Sequence, residues 1–337
     1  MSFRYHAQTY LVAATLIWGL APIFLETVLD YLTPLRAITL RFSIAVLILF
    51  LLVFFTRGIK GFSLLSNKTC ILLGWIDAFG YLAATLGQEM TTVGLATLIS
   101  TCYLVIVPFY AWKLEGNKPS VMIVGLAFIA MIGVFLIGFD GDWSTFSFSS
   151  LSILGILILV IAALLFGLYV AVSGKFLKES NSNGKNIDPL AYLNATTFWV
   201  FFPLLLLSIF TDNSPFYLPL QVVPAILFIA IFATIIAFGL YNWAIERLGS
   251  VRTSFYLLLQ VVIPFTFELV IWRQYYSYWV YGGISIILIV LLLISTGGRN
   301  LKHDIKNIRL MLAKLRAPSL DHSFKMNFES ELKNRTQ

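Results

Sequence analysis

Charged side chains are scarce in this sequence. Asp, Glu, Lys and Arg make up 12% of its 337 residues, against about 25% in soluble globular chains. That shortage excludes a water-surrounded fold, because 29 Phe and 15 Tyr cannot all be hidden in one soluble core. Cysteine is nearly missing. Cys70 and Cys102 both fall inside apolar runs, which argues against a disulfide framework or a cysteine metal site. Also missing are H-E-x-x-H, G-x-S-x-G and any Gly-rich nucleotide loop of the Walker A kind. The expectation is therefore no enzyme, no cofactor, no metal and no ATP-driven step within this chain.

What fills the chain instead is apolar: 59% of residues are hydrophobic and the mean hydropathy is +0.88. A helix needs about 20 apolar residues to cross a ~30 Å hydrocarbon core. Ten such runs occur, at about 8–29, 33–56, 69–88, 94–114, 119–138, 150–174, 188–210, 221–245, 250–272 and 278–296. They predict an all-α membrane protein of ten transmembrane helices with no soluble domain inserted. The first run is too long for a cleavable leader and continues into a second span.

The basic residues orient these spans. Twenty of the 23 Lys and Arg fall on one side of a ten-span topology. They include Arg57, Lys60 and Lys68 after span two, Lys113 and Lys118 after span four, Lys175, Lys178 and Lys185 after span six, and nine beyond Asn300's neighbour Arg299, itself counted. The other side carries Asp30, Glu89, Asp140, Asp142 and Asp212. Cytoplasmic loops are the basic ones, so both termini are expected in the cytoplasm of a multi-pass plasma (inner) membrane protein. The same asymmetry accounts for the net charge of +7, and no nucleic-acid partner is needed.

Ten spans divide into five and five, and an odd number makes two copies face opposite ways. Trp18-Gly19-Leu20 matches Phe166-Gly167-Leu168, and Thr33-Pro34-Leu35 matches Asp188-Pro189-Leu190. Gly94 and Gly249 stand 155 residues apart, and Pro108 and Pro264 stand 156 apart. The organisation read from this is a first five-helix repeat over 1–145, an inverted second repeat over 146–298 and a basic cytoplasmic tail over 299–337. Inverted repeats with midplane sites are the build of many secondary transporters.

Ile17-Trp18-Gly19, Thr33-Pro34-Leu35, Arg41-Phe42, Val93-Gly94-Leu95-Ala96 and Glu115 ten residues before Gly125 occur in order across the ten spans. In this the chain resembles the drug/metabolite transporter superfamily, EamA-like type, over about residues 8–298. The resemblance implies a carrier that exports small metabolites, amino acids or drugs, with its termini inside. Where the family often has an acidic residue nine before a glycine after span nine, Gln274 stands nine before Gly283, and the nearby carboxylate is Glu268.

A charge near the bilayer centre costs about 2.5–3.5 kcal/mol on insertion scales, so intramembrane ionisable groups mark sites. Asp77 sits at mid-depth of span three, with Tyr81, Thr85 (or Ala84) and Gln88 following on its helical face. It reads as a proton or substrate-cation site, or else as a structural partner of Arg41. In span nine Tyr256, Gln260 and Glu268 form a second polar stripe. Glu26 and Arg36 read as a structural or gating pair at the outer ends of spans one and two. Trp18, Tyr81, Tyr103, Tyr169, Tyr241 and Trp243, with Asn242, are candidates for lining a substrate cavity. Most other aromatics, such as the stretch 273–281, read as an interfacial belt. Pro108 and Pro264 occupy matching spans and are expected to bend them.

In the tail, Leu301, Ile305, Ile308, Leu312 and Leu315 recur at helical spacing among Lys and Arg, and Pro318 ends the run. This predicts an amphipathic helix lying on anionic inner-leaflet lipids. The functional expectation is a secondary transporter of a small molecule working by alternating access, proton-coupled or driven by the substrate gradient. The alternative is a lipid-handling or channel-like membrane protein without carrier activity.

Overall fold

The computed structural model describes residues 2–91, 96, 99–116, 118–140, 150–182, 187–212, 217–271, 273 and 275–295. The amphipathic tail stretch and Val93-Gly94-Leu95 lie outside the described residues. All regular structure among the described residues is helical. We label the helices α1 (Ser2–Leu29), α2 (Pro34–Arg57), α3 (Lys68–Glu89), α4 (Tyr103–Glu115) and α5 (Val121–Phe139). The second half gives α6 (Ser150–Ser182), α7 (Pro189–Thr211), α8 (Leu220–Leu248), α9 (Ser250–Ile271) and α10 (Tyr278–Ser295). Nine helices among the described residues are long and apolar enough to span a bilayer. The tenth expected span is represented by the 13-residue α4.

Local chemistry sets the boundaries. Thr33 caps α2, with Pro34 in the first turn where a missing N–H costs nothing. Asp188 and Pro189 start α7 in the same way, the Asp188 carboxylate accepting from the Leu190 N–H at 3.1 Å. Asn67 caps α3 by accepting from Thr69 N and Cys70 N. Gly249, at φ 79°, makes the turn between α8 and α9 that a side chain would resist.

Two helices are irregular where they approach the middle of the bundle. Residues Phe228–Ile236 of α8 are π-helical, and the Thr234 hydroxyl donates to Ile229 O, five residues back. In α9 the helix tightens at Leu257 and Leu258, where Gln260 N bonds Leu257 O and Val261 N bonds Leu258 O. The same tightening starts α4, with Cys102 N on Ile99 O and Val105 N on Cys102 O. Cys102 and Leu258 each lie six residues ahead of a proline, Pro108 and Pro264. The breaks therefore fall well before the two prolines expected to cause bends, and both prolines sit inside continuous helix.

The helices pair in a pattern that survives exchange of the two halves. α3 packs on α6, and α8 on α1; α4 packs on α6, and α9 on α1; α2 and α7 pack on each other. α2 and α7 run antiparallel. Thr33 donates to the Asp212 carboxylate and Arg36 Nε pairs with it at 3.0 Å, joining the start of α2 to the end of α7. Arg57 Nε meets Asp188 at 2.6 Å and joins the other two ends. Matching glycines repeat the theme: a Cβ on Gly19 would lie 2.6 Å from Ile263 Cβ, and one on Gly167 would lie 3.3 Å from Ile106 Cγ2.

We call the end carrying the α1–α2 turn the upper end and the opposite one the lower end. Lower-end links tie α6 to α4, through Lys178–Glu115 at 2.8 Å and Lys175 Nζ on Leu114 O at 2.9 Å. The outer surface is apolar. Leu47 and Phe55 on α2, Phe128 on α5 and Leu157 on α6 are exposed, as a surface facing hydrocarbon requires.

Candidate functional site

A cavity of about 260 Å³ occupies the bundle from its middle to its upper end. One face of α3 supplies Asp77, Tyr81, Ala84, Thr85 and Gln88 to its wall. The i, i+4 recurrence of these residues puts them on one stripe, while Phe79, on another face, is exposed at the surface. α1 adds Trp18, α4 adds Tyr103, α6 adds Phe166 and Tyr169, and α8 adds Phe238 and Tyr241. Gln260 of α9 donates to the Tyr103 hydroxyl at 3.3 Å and closes the ring.

The aromatic wall is built from two similar contacts. Trp18 meets Phe238 edge-on with centroids 5.0 Å apart, and Phe166 meets Tyr81 edge-on at 5.5 Å. Trp18 and Phe166 are the matched residues of the two halves, so each half places an aromatic ring against the other. The Trp18 Nε1–H donates to Ala233 O at 2.8 Å, which orients the indole.

Two charged side chains share this apolar cavity, Arg41 and Asp77, exposed by only 5% and 3%. They do not pair directly. Arg41 Nε donates to Thr234 Oγ1 at 2.7 Å and Nη2 donates to Ala233 O at 3.3 Å. Its guanidinium also lies over the Tyr81 ring, 5.0 Å from the centroid. The expected Asp77–Arg41 contact is thus replaced by one between Arg41 and α8. The π-helical turn presents Thr234 and a backbone carbonyl to the guanidinium, and a planar fork with several donors suits them better than one carboxylate. Arg41 remains the cation whose charge reaches Asp77.

The Glu26–Arg36 pair is also replaced. Arg36 takes Asp212, and its Nη2 donates to Asp212 O at 3.1 Å, while Glu26 is exposed and has no ion pair among the described residues. Asp212 lies at the end of the antiparallel α7, closer to Arg36 than the preceding helix can bring Glu26.

Of the other candidates, Asn242 is buried below the cavity and not on its wall. Tyr256 is buried off the lining, because the tightened turn at Leu257–Leu258 breaks the four-residue stripe that would carry it there. The Glu268 side chain lies outside the described residues. Trp243 packs against Tyr10 and under Arg247 at the lower end. Phe166, Phe238 and Thr234 were not singled out by the sequence; only the repeat match of Phe166 to Trp18 hinted at any of them.

The EamA-like transporter family model matches the chain twice, at residues 7–139 and 153–296. Two relatives are each called an uncharacterized transporter. One, from Archaeoglobus fulgidus, is 27% identical over 299 residues, covering 87% of this chain and 86% of its own length. The other, YyaM of Bacillus subtilis, is 27% identical over 272 residues, covering 77% and 84%. A solved crystal structure shares the fold with a TM-score of 0.72 over 88% of this chain and 98% of its own, at 15% identity. With the family model matched along most of its length, the chain belongs to the EamA-like transporter family.

Proposed function

We propose that the protein is a secondary transporter that exports a small metabolite, amino acid or drug across the plasma membrane by alternating access. The observation that carries this is the central cavity of about 260 Å³, apolar and aromatic but holding Arg41 and Asp77. Such a cavity suits a small solute with an apolar body and a polar or zwitterionic end. Aromatic faces hold the body, and the Asp77 carboxyl and Arg41 guanidinium, not paired with each other, line the wall where the polar end would lie.

Two inverted five-helix repeats, 1–145 and 146–298, would rock about this cavity, with a basic tail over 299–337 lying on anionic lipids of the inner leaflet. The exchange pattern of helix contacts and the antiparallel α2–α7 pair support this reading. With both termini in the cytoplasm, the upper end faces outward, and the cavity reaches that end while the lower-end links hold the other side closed.

A tolerance screen with the protein overexpressed or absent selects solutes, and flux of each radiolabelled hit into inverted membrane vesicles tests the function. Saturable, solute-specific uptake is expected. A linear ion current without saturation would instead favour the channel-like reading, and no solute dependence at all would overturn transport.

A further inference from the structure

We propose that a proton route, separate from the solute cavity, runs from Asp77 to the lower end between α6, α7 and α8, sealed midway by the Ser173–Tyr192 hydrogen bond. It rests on the carrier reading and adds the coupling step to it.

Behind the cavity wall lies a void of about 10 Å³, lined by Asp77, Tyr169, Thr196, Thr197 and Thr234. A second void of about 10 Å³, lower in the bundle, is lined by Leu177, Tyr192, Asn242 and Glu246. The helices place both on one seam. Along α8, Thr234, Phe238, Asn242 and Glu246 follow at four-residue steps, as do Tyr169, Ser173 and Leu177 along α6 and Thr196 and Tyr192 along α7. Between the two voids Ser173 Oγ and Tyr192 OH meet at 2.8 Å, and both residues are fully buried.

Asn242 is the second, independent sign of an occupant. It is 3% exposed, and neither atom of its amide has a hydrogen-bond partner. A buried amide left unpaired is costly, and a void of roughly 10–15 Å³ has room for one water molecule. Below it, Ile187 also borders a crevice of about 670 Å³ at the lower end, lined by Lys60, Asn67 and Asp188. The seam therefore leads from Asp77 to a wide lower opening, with spaces too small for a solute but sufficient for water.

The step conserves its atoms. The Asp77 carboxyl gives its proton to a water in the upper void. When the Ser173–Tyr192 bond parts, water joins the two voids and hands the proton from one water molecule to the next, while both hydroxyls keep their own protons. The water at Asn242, then Glu246 or bulk water, takes the proton. The charged group acting on Asp77 is Arg41 from α2; Tyr81 of its own helix, Tyr169 of α6, Tyr192 of α7 and Tyr241 of α8 are the titratable groups near enough to feel the charge of Asp77. Arg41 is the cation among them and is bound to Thr234, itself on the upper void. The charge state of Asp77 is thereby tied to the position of α8.

The test reconstitutes the full chain in liposomes enclosing pyranine and drives protons with a valinomycin-set potassium potential, with no solute added. Ser173→Ala and Tyr192→Phe each remove the seal and are expected to raise the acidification rate several-fold over wild type. Adding Asp77→Asn should return either one to the wild-type rate. A rise in either single variant that Asp77→Asn abolishes supports the route. Wild-type rates in both single variants, or a rise that survives Asp77→Asn, overturn it. Failure here leaves the carrier reading intact, because that reading stands or falls on solute uptake alone.

Discussion

Arg41 reaches across the α2–α8 boundary to Thr234, Nε to Oγ1 at 2.7 Å, and not along its own half to Asp77. A buried cation from the first half is thus satisfied by the second. The two halves are joined at the cavity wall by this bond.

Arg41→Gln should therefore cost more stability than Asp77→Asn. Loss of charged hydrogen bonds to Thr234 and Ala233 predicts about 1.5–3 kcal/mol for the first. The second is nearly isosteric, removes no hydrogen bond among the described residues and should cost under about 1 kcal/mol while lowering transport sharply. Thermal unfolding in detergent measures both. The reverse order would restore a direct Asp77–Arg41 pair.

Thiol labelling maps the cavity. In a Cys70→Ala, Cys102→Ala background, Tyr81→Cys and Gln260→Cys should react with a water-soluble thiol reagent at least tenfold faster than Phe79→Cys or Leu82→Cys. Tyr81 and Gln260 line the cavity, Leu82 packs against the cluster around Phe42 and Leu204, and Phe79 is on the outer surface. Equal rates at all four positions would mean that no water-filled space is built on the Asp77 stripe.

Topology can be read with a reporter active only outside the cytoplasm. Fusions after Phe139 or Thr211 should be active, and fusions after Lys60 or Lys178 silent. The opposite pattern would reverse the upper and lower ends and remove the export reading.

Gly74→Leu tests the α3–α7 contact. Even a Cβ at Gly74 would stand 2.6 Å from the Trp199 backbone carbonyl carbon, and overpacking of this kind costs about 1–3 kcal/mol. A melting temperature equal to wild type would show that the two helices can part without loss.

The spans and their order are legible because hydropathy over about 20 residues averages out local detail. Asp77 stands out for the same reason, as a lone carboxylate in an apolar run. The long-range partners are hidden. Nothing local connects Arg36 to Asp212, which is 176 residues away, or Arg41 to Thr234, which is 193 away. Thr234 is doubly hidden, since the π-helical stretch shifts the side-chain register that a 3.6-residue period assumes. Phe166 and Phe238 are two of 29 Phe, and a ring facing a cavity has the same composition as one facing lipid.

The two ends of the α2–α7 pair differ in how they meet solvent. Arg36–Asp212 has side chains 15% and 8% exposed, whereas Arg57–Asp188 has 51% and 29%. Dissolved ions weaken an exposed pair far more than a shielded one. Ionic strength therefore acts unequally on the two ends: raising it loosens the lower junction and leaves the upper one nearly as firm, so salt weakens the α2–α7 pair from one end only.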